Sequence, residues 1–331
     1  MKGIRLIQEC IREYGIGTVQ KYMNAIQDNA EKVVRDLLRK VHAQFSGLPL
    51  EAVDFMDDGS KLVLKININK EDGSATFDFT GTSRETYGNL NAPKAITFSA
   101  IIYVLRSLVN QDIPLNQGCL APIKVILPEG TIISPSHGAA TVGGNVETSQ
   151  RVTDLVLRAF QGTCNNLTFG YGGQLVNGVA EPGFGYYETI AGGAGAGPHW
   201  AGQSGVHVHM TNTRITDPES LERRYPCILH EFSIRKNSGG EGLHRGGDGC
   251  IRDIEFRREV DVSVLSERRT IPPYGMCGGD AGQVGENIWV RHDEFGSREI
   301  SLGGKNTCRM KKGDRIIIRS PGGGGYGKKA C

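Results

Sequence analysis

The chain has 331 residues, and glycine accounts for 46 of them, about twice the usual share of about 7%. These glycines follow no three-residue period, which excludes a collagen-like chain. The 38 basic and 36 acidic residues leave a formal charge of +2, which argues against a dedicated nucleic-acid binder with a clustered basic face. No apolar run approaches the roughly 18 residues of a membrane span, and the first residues lack a signal-peptide core. We therefore expect a cytoplasmic protein.

Eight cysteines are spread along the chain without a Cys-x-x-Cys pair. This spacing is typical neither of a zinc ribbon nor of a small disulfide scaffold. It predicts free thiols in a reducing compartment, and a cysteine nucleophile is not expected. The eight residues are Cys10, Cys119, Cys164, Cys227, Cys250, Cys277, Cys308 and Cys331.

The first part of the chain combines helical and strand periodicity. Apolar residues recur at three- and four-residue spacing from the start, and Gly15 and Gly17 divide this run into two helices. Alternation with a two-residue period then predicts a hairpin. In chain order, the predicted elements are the two helices within residues 4–42, hairpin strands over 61–68 and 75–80, a helix over 96–109, a strand over 123–127 and a helix over 148–160.

Beyond residue 170 the helical period nearly disappears. Short alternating segments between glycine clusters predict antiparallel β structure, as a sandwich or an irregular barrel. One helix is expected after Asp217, which can cap it, with Pro218 at its first position. The predicted fold class is α+β. We expect one domain with a mixed helical and strand part over residues 1–169 and a β-rich, glycine-rich part over residues 170–331.

The densest glycine segment covers residues 191–198. Small residues let a backbone approach a ligand or another chain closely, and consecutive amides can bind an anion. Gly193 and Gly195 are therefore candidate substrate-binding residues. A Walker loop is excluded because the segment lacks the Gly-Lys-Ser/Thr ending. A tightly packed crossing loop would need the same residues, so both interpretations stay open.

A polar run follows over residues 204–214. On a strand, His207 and His209 would point to the same face, where two imidazoles can act as base and hydrogen-bond partner or bind a metal. Asn212 and Arg214 add donors suited to a carboxylate or phosphate. No third metal ligand follows at standard spacing, so we predict a catalytic group of these four residues and no metal. Structural histidines with an Arg–Asp bridge are the alternative.

A glycine turn at Gly143, Gly144 and Asn145 precedes the helix predicted over 148–160. The first amides of that helix would attract a carboxylate or phosphate. An ordinary N-cap provided by Thr148 or Asn145 explains the segment equally well.

Taken in chain order, these motifs resemble the hydantoinase B/5-oxoprolinase family, and within it the oxoprolinase branch and the C-terminal part of the B-type half. The matching stretches are long, specific and cover nearly the whole chain. They are residues 91–93, 142–145, 148–151, 165–168, 185–197, 207–218, 222–226, 245–249, 266–269 and 321–327. The substrate-binding candidates within them are Gly143, Gly144, Asn145, Arg151, Glu188, Gly193 and Gly195.

The resemblance implies ATP-dependent opening of a cyclic amide: 5-oxoprolinases convert 5-oxo-L-proline and ATP to L-glutamate, ADP and phosphate. It also implies a hydantoinase A-like half with an actin-like ATPase fold, which binds ATP and Mg²⁺, while a B-type half hydrolyses the phosphorylated amide. In that reaction His207 or His209 would act as base. Asn212 would donate to the developing oxyanion, and Arg214 would hold a carboxylate or phosphate.

The sequence departs from the family in three places. The B-type halves are longer, and their additional N-terminal part carries a His- and Asp-rich metal motif that this sequence lacks. Relative to the family, residues 160–164 contain a short deletion and residues 171–182 an insertion. Three hypotheses follow: one part of a 5-oxoprolinase-type hydrolase, the B subunit of an ATP-dependent hydantoin (N-methylhydantoin) hydrolase, or a non-catalytic fragment that acts as scaffold or assembly partner. We expect a hydantoinase A-like partner and an oligomer.

Overall fold

The computed structural model of the protein describes residues 1–109, 111–163, 167–175, 184–211 and 213–329, with only the backbone described over 167–175. The α-helices are α1 (Lys2–Tyr14), α2 (Ile16–Gln44), α3 (Lys94–Leu108), α4 (Ser149–Ala159) and α5 (Pro218–Arg224). A 3₁₀-helix covers Gln117–Leu120 and a π-helix covers Gly144–Thr148. The strands are β1 (Leu50–Phe55), β2 (Lys61–Ile68), β3 (Ala75–Asp78), β4 (Ile123–Ile126), β5 (Leu167–Leu175), β6 (Gly185–Ala191), β7 (Cys227–Arg235), β8 (Gly249–Phe256), β9 (Val260–Leu265), β10 (Glu286–Asp293), β11 (Gly296–Ser301), β12 (Lys305–Met310) and β13 (Arg315–Arg319).

The helices and strands predicted for the first part are confirmed, with small shifts at their ends. α1 and α2 meet at Gly15, whose φ of +78° is a left-handed conformation that favours glycine. The predicted hairpin is β2 and β3, and Gly73 in its turn has a φ of +68°. The three predicted elements that follow are α3, β4 and α4. The sequence pattern missed β1.

The first hydrophobic core lies on a four-stranded sheet with the order β1-β2-β3-β4. β3 and β4 pair in parallel, and the other neighbours are antiparallel. Alternate residues of β2, namely Leu62, Leu64 and Ile66, are buried, as the two-residue period of a half-exposed strand requires. They belong to one cluster with apolar residues of α2, α3 and α4.

The second part contains two open sheets, with the strand orders β11-β10-β13-β8-β7 and β12-β9-β5-β6. Apolar residues of β8 and β13 pack with those of β6, β9 and β12 in a second core, so the two sheets form a layered, sandwich-like arrangement. The α+β class is confirmed, and none of the described sheets closes into a barrel. α5 begins as predicted, because the Asp217 carboxylate accepts a hydrogen bond from the Ser220 amide and Pro218 follows it.

The predicted division after residue 169 falls inside β5, which pairs with β6 and β9 of the second part. This division stays a prediction.

The first 29 residues, which cover α1 and the first half of α2, lie at the surface. None of residues 1–29 is buried, and the exposed apolar side chains there include Ile4, Ile7, Tyr22, Met23 and Ile26. Among the residues that the structure describes, no helix combines the length and apolar character needed to cross a membrane.

The described cysteines are free: Cys10, Cys119, Cys227, Cys250, Cys277 and Cys308. Cys164 and Cys331 lie outside the described residues.

Candidate active site

Five buried charged side chains join α4 and the first sheet to the loop after β9. They are Asp54, Arg151, Asp154, Glu267 and Arg268, each at most 4% exposed at the side chain. Arg151 Nη2 donates to Glu267 Oε2 at 2.8 Å. Arg268 Nη2 donates to Asp54 Oδ2 at 2.8 Å and to Asp154 Oδ2 at 3.0 Å. Each charge of this ionic cluster is thus paired, as burial requires.

His209 lies against the ionic cluster with both ring nitrogens in contact. Its Nε2 is 3.3 Å from Asp154 Oδ1, and its Nδ1 is 3.4 Å from the Tyr103 hydroxyl. The Asp154 carboxylate can only accept a hydrogen bond, so it favours the tautomer with a proton on Nε2. Nδ1 is then the nitrogen that can take up a proton.

The backbone of His209 has a φ of +54°, a left-handed conformation that costs a residue with a Cβ of order 1 kcal/mol or more. The strand expected through His207 and His209 is therefore wrong. The segment makes one isolated bridge, between Gly192 and Val206, and then leaves the extended conformation. Because positive φ interrupts the alternation of side chains, the same-face argument does not apply. A strained residue in contact with a buried carboxylate is typical of a functional position.

A cavity of about 810 Å³ lies beside this histidine. Tyr103 lines the cavity and its hydroxyl contacts His209, so this residue lies between the two. Burial raises the pKa of Tyr103, so the hydroxyl keeps its proton near neutral pH. The lining residues are Gln27, Ser99, Ile102, Tyr103, Arg106, Ser107, Leu115, Asn116, Gln117 and Met210.

The other three predicted catalytic residues differ in their surroundings. His207 is half-buried, and its Nδ1 has no hydrogen-bond partner among the described residues. Burial lowers the pKa of this imidazole, which favours its neutral form. Arg214 is exposed to solvent, and Asn212 lies outside the described residues. Of the predicted group, His209 is thus the residue that has a buried carboxylate within 3.3 Å and contacts a cavity-lining tyrosine.

The predicted anion site at the start of α4 does not have a free helix end. Gly144 begins the π-helix that continues directly into α4. The Gly143 amide donates to the Asn89 carbonyl at 2.7 Å, and a Cβ on Gly144 would lie 2.1 Å from the Asn91 carbonyl oxygen. These glycines therefore permit close backbone packing, while Asn145 is exposed. Their role in substrate binding stays a prediction.

The glycine segment over residues 191–198 is packed against other glycine-rich backbone. A Cβ on Gly193 would lie 1.9 Å from the Gly247 carbonyl oxygen and 2.6 Å from the Gly323 nitrogen. The Ala196 amide donates to the Gly324 carbonyl at 2.9 Å, and the Gly195 nitrogen would lie 2.7 Å from a Cβ on Gly323. The space around Gly193 is thus filled by the chain itself. We call the three contacting segments, 191–197, 239–249 and 321–325, the glycine stack.

Glu188 and Arg151 are held in internal ion pairs. Both Glu188 oxygens accept from Arg252, at 2.9 Å each, and Oε2 also accepts from the Tyr186 hydroxyl at 2.7 Å. Arg151 is part of the ionic cluster. The structure gives both predicted substrate-binding residues a partner within the protein.

Glu147 is a buried carboxyl in the π-helix, 3% exposed. Its Oε1 has no hydrogen-bond partner among the described residues. Burial, together with repulsion from the Glu267 carboxylate, raises the pKa of Glu147 to about 8. Across the described ranges, no three His, Cys, Asp or Glu side chains are grouped as a metal site would require.

Three residues of this site escaped the sequence analysis: Tyr103, Arg106 and Asp154. A signal for the first two was present, because polar side chains recur along one face of the otherwise apolar α3 at three- and four-residue spacing. Asp154 had no such signal, since its partner His209 is distant in sequence.

Comparison with known proteins places these features in a family. A family model described as hydantoinase B/oxoprolinase matches residues 1–329. The chain is 60% identical to an uncharacterized protein of Schizosaccharomyces pombe and 54% identical to 5-oxoprolinase 1 of Arabidopsis thaliana, in each case over 98% of this chain and 26% of the relative. It therefore spans about a quarter of the length of these curated relatives.

The fold also resembles a solved structure. The ATP-dependent caprolactamase of Pseudomonas jessenii superimposes with a TM-score of 0.79 at 21% sequence identity. The likeness covers 98% of this chain and 58% of that one. At this identity the comparison shows a shared fold.

Proposed function

The chain belongs to the hydantoinase B/oxoprolinase family, and from this premise we propose that it is one part of an ATP-dependent hydrolase that opens a cyclic amide. The proposed reaction converts 5-oxo-L-proline, ATP and two water molecules to L-glutamate, ADP and phosphate. One water opens the ring, and the other accounts for the net hydrolysis of ATP. The sequence similarity to 5-oxoprolinase 1 of Arabidopsis thaliana supports this choice of substrate.

The observation that carries the proposal is the position of His209, which lies between Asp154 and Tyr103, a residue that lines the cavity. Asp154 is itself fixed by Arg268, so it can orient the imidazole and stabilise the imidazolium that forms when Nδ1 takes up a proton. The Tyr103 hydroxyl can pass a proton from a water in the cavity to Nδ1. The two contacts of the ring, at 3.3 and 3.4 Å, are longer than an ideal hydrogen bond.

The proposed contribution of this chain is the hydrolysis of the phosphorylated amide. In the activated substrate, the carbonyl oxygen carries the phosphoryl group from ATP. Water adds to the carbonyl carbon and loses a proton through Tyr103 to His209. The carbon–nitrogen bond then breaks as the nitrogen takes a proton, leaving an acyl phosphate. A second water cleaves this product to the carboxylate and phosphate.

A second half must supply the phosphoryl group. We propose a hydantoinase A-like ATPase, as a separate subunit or a fused domain, which binds ATP and Mg²⁺. Two observations support a larger assembly: the chain spans 26% of its 5-oxoprolinase relative, and the first two helices expose apolar side chains such as Ile7 and Met23. The glycine stack has no room for a nucleotide at Gly193, where a single Cβ would already collide with the backbone.

The test is 5-oxoproline-dependent ATP hydrolysis, measured for this chain alone and after mixing with a hydantoinase A-like half. We expect ADP and L-glutamate to form in the mixture only. A stable complex that produces neither, even when the additional N-terminal part of a B-type half is supplied, would contradict the proposal and favour a scaffold role.

A further inference from the structure

The cavity beside His209 is formed by one face of α3 and by the loop that follows it. Ser99, Ile102, Tyr103, Arg106 and Ser107 recur at helical spacing and line one wall. Its volume of about 810 Å³ is within the usual range of about 300–1,000 Å³ for ligand sites. This is much larger than a five-membered ring needs, so shape alone gives little selectivity.

Charge distinguishes the cavity more sharply than shape. Among the described residues that line it, Arg106 is the only one with a charged side chain. Arg106 Nη1 donates to the Ile113 carbonyl, which anchors the side chain to the loop. A guanidinium has five N–H donors, so it can hold this carbonyl and a ligand at the same time. Two neighbouring N–H donors of the guanidinium form a fork that matches the spacing of the two oxygens of a carboxylate.

The remaining wall suits the body of a cyclic amide. Ile102, Leu115 and Met210 offer apolar surface, and Asn116 and Gln117 offer amide groups. Tyr103 and Arg106 are three residues apart on the helix, so their Cβ atoms are about 5–6 Å apart. In 5-oxoproline, the carbonyl oxygen and the carboxylate are attached to the two carbons that flank the ring nitrogen. One such molecule can therefore contact both side chains.

We propose that this cavity is the binding site for a cyclic amide that carries a carboxylate, and that Arg106 selects for that carboxylate. This inference rests on the proposed function, from which it takes the cyclic amide as substrate. It adds where the substrate binds and which residue selects it. Arg214, which the sequence suggested as the clamp, is exposed and does not line the cavity. Neutral lactams would lack the partner of Arg106 and would leave its charge unpaired in the site.

The experiment compares two ligands that differ only in the carboxylate, 5-oxoproline and 2-pyrrolidinone. Their binding to the complete enzyme, with its ATPase half, is measured by titration calorimetry for the wild type, Arg106→Gln and Arg106→Lys. A hydrogen bond to a charged group contributes about 1.5–3 kcal/mol, so Arg106→Gln should reduce the preference for 5-oxoproline by about 10- to 100-fold. Arg106→Lys keeps the charge but loses the fork, and should restore part of the preference.

Lys94→Gln is the matched control, because Lys94 lies in the first turn of the same helix, pairs with Glu129 at the surface and does not line the cavity. It should leave the preference unchanged. The inference would be overturned if Arg106→Gln kept the preference for 5-oxoproline, or if it lost affinity equally for both ligands.

Turnover measured in parallel separates the two proposals. If 5-oxoproline binds in a way that depends on Arg106 but its ring is not opened, the inference stands and the proposed function is refuted. If the ring is opened but the preference for 5-oxoproline over 2-pyrrolidinone does not depend on Arg106, only the inference is refuted.

Discussion

The glycine segment over residues 191–198 and the polar run over residues 204–214 are neighbours in sequence, yet they play different parts in the structure. The glycines of the first pack against backbone of the same chain, at distances that leave no space for a Cβ. The second places a strained His209 between a buried carboxylate and the cavity-lining Tyr103. A high glycine content therefore indicates that something lies close to the backbone, but it does not show whether this is a ligand or another segment of the chain. A positive φ alone does not mark a site either, because Asn237 and Arg268 share it. The contacts of His209 with Asp154 and Tyr103 are therefore the better indicator of chemistry.

The largest expected effect concerns the glycine stack. Gly193→Ala places a methyl group 1.9 Å from the Gly247 carbonyl oxygen, and backbone on both sides leaves it no room to move. We expect a loss of more than about 3 kcal/mol in the free energy of unfolding, measured by urea denaturation. A variant with unchanged stability would show that the stack is loose enough to accept a ligand.

The ionic cluster should show the next largest effect. Arg151→Met removes the partner that lies 2.8 Å from the buried Glu267 carboxylate, which keeps its ion pair with Lys305, so the free energy of unfolding should fall by about 1.5–3 kcal/mol. Arg309→Met is the control, because Arg309 forms exposed pairs with Glu259 and Asp261 that contribute about 0–1 kcal/mol. If Arg151→Met impairs substrate binding at unchanged stability, Arg151 belongs to the substrate site that the sequence suggested.

Stability should also depend on pH through Glu147. Its pKa of about 8 in the folded protein exceeds the ordinary value of 4.5, so the folded state holds a proton that the unfolded chain releases. The contribution of this group to the free energy of unfolding is complete below pH 4.5, decreases as pH rises toward about 8 and is constant above. Urea denaturation at pH 5.5 and 8.5 should therefore show a smaller pH dependence in Glu147→Gln than in the wild type.

Glu129→Gln removes an exposed carboxyl and should behave like the wild type in the same experiment. If the stability of Glu147→Gln and of Glu129→Gln depended equally on pH, the assignment of this pH dependence to Glu147 would be contradicted.

The smallest effect is expected at a glycine outside the stack. Gly17 lies within α2, and nothing is within 4 Å of a Cβ built there. Gly17→Ala should therefore raise the free energy of unfolding through helix propensity. The gain should be smaller than the roughly 0.5–1 kcal/mol expected in a helix interior, because Gly17 is the second residue of α2. Thermal unfolding of Gly17→Ala beside Gly193→Ala measures the contrast directly, and stabilisation by both substitutions would mean that glycine is not required in the stack.

Local patterns predicted most of the fold because its elements are amphipathic. The helices and strands of the first part follow their apolar periods, and α5 follows its cap at Asp217. The pattern missed β1, whose buried residues include the acidic Asp54. A charge at a core position breaks the alternation from which a strand is predicted, and it is tolerated here because Arg268 pairs with it.

The site was only partly predictable. His209 was identified from residue type, but its orientation was wrong because a positive φ cannot be inferred from a His-x-His spacing. Asp154 and Tyr103 reach it from distant parts of the sequence. The buried pairs of Arg151 and Glu188 likewise depend on partners distant in sequence, so charge alone could not separate structural residues from substrate-binding ones.

The central claim is that His209 serves the hydrolytic half of an ATP-dependent ring opening. The most direct test is the ratio of ADP to L-glutamate formed by the complete enzyme that carries His209→Asn. Asparagine is chosen because it tolerates the left-handed backbone conformation at this position. His230→Asn, at an exposed histidine paired with Glu255, is the control. We predict that His209→Asn slows L-glutamate formation by about 100- to 10,000-fold and raises the ratio, while the control keeps both values. Unchanged L-glutamate formation by a folded His209→Asn enzyme would contradict the account.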